Sequence, residues 1–452
     1  MRLIGMLTFA VMWSICGLVV NNPAEAAAPE HELSVGWAAA DITPPKPVNL
    51  QGQMHKRISK EVKDPITATI LALESGAKDG PKEQAVLISC DLASIWKIAQ
   101  DAVRQRVKAR LPDFDSDKLF LSATHTHTGP TLADFYKAYD VSKDPGVMNA
   151  TEYREFFADR LAAAVVQAWQ GRKPGGMSWG LGQAVVGHNR RAVYFDGKAA
   201  MYGNTNTEQF DAFEGYEDHG VEMLFFWNPE KELTGMVVNV ACPSQETEGE
   251  SYLSADFWYE VRQEIKQRYS KDVHVLAQCG AAGDQSPHLL VRKQAENRMQ
   301  ARRKISRREE IGRRIAAAVD DVFPIAKNDI RTKLVFKHAV VRLNLPPQQP
   351  PVLPFYDTDP IQPIEFHVLR LGEVALATNP FELYVDYGMR MKARSKAVLT
   401  LIAQLSCQTC GYLPTARGVR GGGYSADKFL VGPEGGQVLV NETVQRINAM
   451  WE

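Results

Sequence analysis

Short apolar runs of strand length, rich in Val, Ile and Leu, recur along the chain, and each ends abruptly in a polar or Gly/Pro-rich loop. They cover 85–89, 119–121, 236–241, 273–278, 374–378 and 398–405. Stretches with helical periodicity separate several of them, at 98–110, 151–169 with Thr151 as N-cap, 256–269 and 381–396. This alternation predicts an α/β fold, a mixed β-sheet core flanked by helices. Near-continuous hydrophobic strands are what a sheet buried on both faces requires, and the loops at the strand C-terminal ends are where such folds collect ligands. The stretch 346–363, rich in Pro, reads as an ordered excursion between strands, and no internal repeat is visible.

Composition narrows the picture. The 452 residues carry 52 Lys and Arg against 53 Asp and Glu, a balance that gives no reason to expect a nucleic-acid partner. Met1-Arg2, the apolar stretch 3–20 and the Ala-Glu-Ala ending at Ala26 have the form of a secretory signal peptide, with a retained single-span anchor as the alternative. The expectation is a mature domain of 27–452, secreted or periplasmic. Beyond Cys16, the five cysteines Cys90, Cys242, Cys279, Cys407 and Cys410 are too few and too odd in number for a disulfide framework. Cys407 and Cys410 read as a local disulfide or two buried thiols, or else as a redox pair or half a zinc site. The charged stretch 291–314 reads as a solvated helical face, with transient contact to a membrane surface as its alternative.

The candidate chemistry begins at Ser122-Ala-Thr-His-Thr-His-Thr-Gly-Pro130. His125 and His127, two residues apart at a strand end, fall on one side of the backbone and can face one cation, while Gly129 and Pro130 turn the chain away. By itself the pair reads equally well as two hydrogen-bonded surface histidines. Gly280-Ala-Ala-Gly-Asp-Gln-Ser-Pro287 follows another run, so backbone amides can approach a substrate and Ser286 is presented at a turn, though the same residues make an ordinary turn without catalysis.

Together with Pro380-Phe-Glu382, Gly411-Tyr-Leu-Pro-Thr415 and an opening segment Ser34 to Pro44, these motifs resemble the neutral/alkaline non-lysosomal ceramidase family over nearly the whole mature chain. The resemblance implies an α/β catalytic domain, a zinc ion held by two His, a Glu and a Tyr, and hydrolysis of the amide bond of an N-acyl sphingoid base. By position it implies His125, Glu382 and Tyr412 as zinc ligands, His127 beside the reacting carbonyl, and Ser286 as the proposed nucleophile with Asp284 next to it. Zinc-bound hydroxide is the other nucleophile the residues allow. One departure stands out. Where the family has its remaining zinc histidine, this chain has Asn239-Val-Ala-Cys-Pro-Ser-Gln-Glu246, so Cys242 is the expected replacement ligand, with Glu246 as a second choice. The chain also ends soon after Tyr424, without the immunoglobulin-like domain that ceramidases often carry. The reading is a secreted zinc amidohydrolase of ceramide or a related acylated lipid. Its alternatives are a hydrolase of another amide and a non-catalytic binding protein that keeps the fold.

Overall fold

The computed structural model describes residues 28–77, 80–134, 136–347 and 362–452, so the signal peptide expected at 1–26 and most of the Pro-rich stretch lie outside the described residues. The first sheet contains β1 (His31–Asp41), β2 (Thr67–Gly76), β3 (Lys82–Cys90), β4 (Leu119–Ala123), β5 (Lys173–Gln183), β6 (Gly220–Trp227), β7 (Leu233–Val240) and β8 (His274–Cys279). Its order is β8-β7-β6-β5-β1-β2-β3-β4. The second sheet is β9 (Phe336–Leu343), β10 (Ile364–Leu371), β11 (Val374–Thr378) and β12 (Leu399–Ala403), paired in that order.

The pairs β3/β4, β7/β8 and β11/β12 are parallel. Parallel neighbours need a crossover, and each has its helix: α1 (Lys97–Arg110), α3 (Phe257–Arg268) and α6 (Val385–Arg394). The remaining long helices are α2 (Ala150–Gln170), α4 (Lys293–Arg303), α5 (Arg307–Ala326) and a C-terminal helix Pro433–Ala449. Two differences from the sequence expectation have local causes. Helix α2 starts a residue before Thr151 because Asn149 and Glu152 form a reciprocal capping box. Helix α6 starts at Val385, not 381, because Glu382–Leu383 is held as a short strand against Tyr412–Leu413.

The two sheets pack face to face. Leu71, Leu87, Phe120, Leu224 and Leu276 of the first share a core with Leu369, Leu371, Leu376 and Leu401 of the second. The outer face of the large sheet packs on α1 and α2 through Val103, Phe157 and Leu161, and on α3 and α5 through Trp258 and Ile315. The outer face of the small sheet packs on α6 and the C-terminal helix. The layers are therefore α/β/β/α, which explains why the strands are apolar on both faces. Helix α4, within the charged stretch, buries no residue, whereas Arg308 and Glu310 of α5 are buried. Among the described residues no helix is long and apolar enough to cross a membrane.

Candidate active site

All three parallel pairs point their C-terminal ends at one region, and the chemistry-bearing loops leave from there. Strand β4 runs into His125, β7 into the loop 241–250, β8 into 280–286, β11 into Glu382 and β12 into Tyr412. Glu382 and Tyr412 are direct neighbours because their two-residue strands pair in parallel, in register. The glycine-rich loop lies beneath them: Gly283 donates its N–H to Leu383 O at 2.7 Å, and a Cβ at Gly283 would stand 2.3 Å from Glu382 O. That position therefore needs glycine for packing under Glu382.

His125 has φ 68°, a left-handed conformation that costs a non-glycine residue energy. Its N–H is held by Leu92 O at 2.9 Å, and its Nδ1 donates to Ala93 O, since a carbonyl only accepts. With Nδ1 turned to Ala93 O, Nε2 of His125 faces the cavity, where it meets Glu382 Oε2 at 3.3 Å.

His127 Nε2 lies 3.4 Å from His125 Nε2 and 2.7 Å from Gln245 Nε2, while its Nδ1 faces Glu248 Oε2 at 3.4 Å. Arg190 fixes the orientation of the Gln245 amide by donating to Oε1 at 3.4 Å, so Gln245 Nε2 donates to His127. The same arginine donates to Gly283 O at 2.9 Å and to the Tyr412 hydroxyl at 3.2 Å. Burial favours neutral His127, and Glu248 opposes that by holding the protonated form. Burial would raise Glu248, but His127, His288 and Arg190 outweigh it and draw its carboxyl down to about 2. Burial and the neighbouring Glu382 push the Tyr412 phenol upward. A cavity of about 110 Å³ opens over this group, lined among others by His125, His127, Glu382, Tyr412, Trp96 and Tyr136.

The other expected site residues are placed elsewhere. Ser286 is fully buried; its Oγ accepts from His288 N at 3.0 Å and shares a 3.0 Å hydrogen bond with the Tyr202 hydroxyl. Asp284 holds the start of α6, accepting from Val385 N at 2.8 Å, and accepts from Asn189 Nδ2 at 3.1 Å. Burial pushes its carboxyl up to about 6. Neither lines the cavity.

Cys242, the expected replacement ligand, is not among the cavity-lining residues. Its side chain packs in the core with Phe257, Trp258 and Val261, its thiol faces Val186 O and Pro243 O, and burial pushes that thiol well up. The loop turns after Pro243, so Gln245 and Glu248 reach His127 instead. Glu246 is not among the cavity-lining residues either, and burial lifts its carboxyl to about 8.

A tetrahedral zinc with bonds of roughly 2.0 to 2.1 Å separates its ligand atoms by about 3.3 Å. His125 Nε2 and Glu382 Oε2 stand at that separation, with the Tyr412 phenol alongside Glu382. These donors fit a zinc ion with a fourth position open, the arrangement of catalytic zinc sites.

No protein-family profile and no curated protein sequence matches the chain. Solved structures do. A crystal structure of neutral ceramidase from Pseudomonas aeruginosa and a structure described as ceramidase complexed with C2 each superpose with TM-score 0.71 at 17% identity, over 93% of this chain and 75% of theirs. The two stacked sheets, their crossover helices and the loops they project make this the neutral ceramidase fold.

Proposed function

We propose that this protein is a zinc-dependent amide hydrolase acting on ceramide or a related N-acyl lipid, exported by the leader at its N-terminus. The observation that carries the reading is the meeting of His125 Nε2 and the Glu382 carboxylate at 3.3 Å, beside Tyr412 and a second histidine backed by a carboxylate. His125, Glu382 and Tyr412 would hold the zinc. Bound there, zinc polarises a carbonyl and acidifies water.

The chain's own residues supply the rest. His127 takes the proton of the attacking water and returns it to the departing amine, and Glu248 stabilises the imidazolium formed between those events. Arg190 places positive charge and a donor next to Tyr412, where the carbonyl oxygen gains charge as the amide carbon becomes tetrahedral. Gln245 holds the resting lone pair of His127 and yields it when substrate enters. Water as nucleophile is favoured over Ser286, because Tyr202 and the His288 N–H occupy that hydroxyl and neither is an imidazole ring nitrogen that could act as its base. The test is release of amine from acylated sphingoid bases by purified protein, with and without chelator. Chelator-sensitive release supports the reading, and metal-free protein of equal activity overturns it.

A further inference from the structure

A further cluster of ligand-type side chains lies between the two sheets. Glu365 and His367 are alternate residues on β10, so both point toward the large sheet, where the His367 ring packs on Phe120 at 4.6 Å between centroids. Cys407 joins them from beyond β12, in a left-handed conformation with φ 68° and its N–H on Leu121 O at 2.9 Å. One carboxylate oxygen, one ring nitrogen and the thiol sulfur all lie within 4.8 Å of one another, and these three residues are 8, 0 and 2% exposed. Cys410, the other half of the Cys-x-x-Cys, points into a different core.

Hydrogen-bond direction fixes the proton positions. Gln84 O accepts from His338 Nδ1 at 2.8 Å, so neutral His338 accepts at Nε2 from His367 Nδ1, also at 2.8 Å. Neutral His367 therefore aims its Nε2 lone pair at Glu365 Oε1, an acceptor 3.2 Å away. The pairing needs one added positive charge between these atoms, from a proton or a metal ion. Arg104 and Arg342 already donate to Glu365, at 2.7 and 3.2 Å, and Lys118 is near. These cations do not choose between the two solutions. A divalent ion that displaces the Cys407 proton to solvent adds one net charge, as does protonating His367. Without a metal the Cys407 thiol hydrogen-bonds Glu365, whereas a metal ion at this point would engage the nitrogen, the oxygen and the thiolate together.

We infer that Glu365, His367 and Cys407 form a second metal site, for a borderline-soft divalent ion of the zinc class, clamping the small sheet to β4. His338 orients its histidine ligand, and a cleft of about 410 Å³ lined by Arg104, Arg342, Glu365 and Gln408 admits the ion. Cobalt(II) loading of the full-length protein tests it, because only a thiolate ligand gives a sulfur-to-cobalt charge-transfer band. The expected result is that band in wild type, lost with one equivalent of cobalt in Cys407→Ser or His367→Gln, and kept in Cys242→Ser. His125→Ala should also keep the band while losing the other equivalent, so failure of the hydrolase centre and failure of this site read differently. Bound cobalt without a thiolate band, a band that survives Cys407→Ser, or no cobalt binding at all would overturn the inference.

Discussion

Replacing Glu248 by Gln removes the carboxylate behind His127 while keeping its size. At 3.4 Å and an effective dielectric of about 20, a full charge pair is worth about 5 kcal/mol. The Glu248 side chain is 20% exposed, so solvent screening brings the expected coupling down to about 2–3 kcal/mol. Removing that coupling shifts the pKa of His127. Its sign is set by what remains: burial already lowers His127, and without Glu248 nothing of comparable strength opposes it. The unprotonated base then persists to lower pH, and the imidazolium formed during turnover is less stable. The acidic limb of the pH–rate profile should move to lower pH, while kcat at the plateau falls about 30- to 100-fold. The assay is kcat and kcat/KM against pH on a soluble N-acyl amide, with metal content measured for each variant. A limb that stays in place with kcat within threefold of wild type would refute the pairing of His127 with Glu248 as the proton-transfer unit.

Ser286→Ala should keep its metal and lose no more than about tenfold in kcat, since the hydroxyl positions Tyr202 and the His288 segment; loss of all activity would restore serine as nucleophile. Cys242→Ser should destabilise the fold by about 1–3 kcal/mol through an ill-paired hydroxyl in the core, seen by denaturant unfolding, with unchanged metal content; a lost equivalent of metal would return Cys242 to the ligand set. Glu246 has its carboxyl raised from 4.5 to about 8 by burial, with Arg307 opposing, so its contribution to wild-type stability is full below pH 4.5 and is lost as pH rises toward 8. The shift corresponds to at most about 5 kcal/mol, or about 2–3 after allowance for partial exposure; Glu246→Gln should remove this decline, and parallel unfolding curves for the two proteins at pH 5 and 8 would contradict it.

The strands and the loops that carry the proposed ligands were legible because their signals are local. Val374–Thr378 is the strand expected from its apolar run, and His125, Glu382 and Tyr412 follow strands whose ends must meet once the parallel pairs form. What was not legible depends on long-range pairing. The second sheet stacked on the first leaves the same apolar signature as helices on both faces, so the layers could not be separated by periodicity. Arg190, Gln245 and Glu248 sit in loops without periodicity, and only their hydrogen bonds to one another and to His127 give them meaning. A buried arginine beside a second one, Arg190-Arg191, was the available hint. Cys242 misled because chemical fitness as a ligand says nothing of which way a loop turns after Pro243. Cys407 was noticed as half of a Cys-x-x-Cys pair, yet its neighbours are Glu365 and His367, which only the stacking of the sheets brings near.

The central claim is a metal centre at His125 and Glu382 that drives amide hydrolysis. Its most direct test is metal stoichiometry and amine release measured on the same preparations of wild type and His125→Ala. The account predicts one equivalent of metal fewer in the variant, together with loss of chelator-sensitive hydrolysis. Equal metal content in the two proteins, or full hydrolysis by His125→Ala, would contradict it.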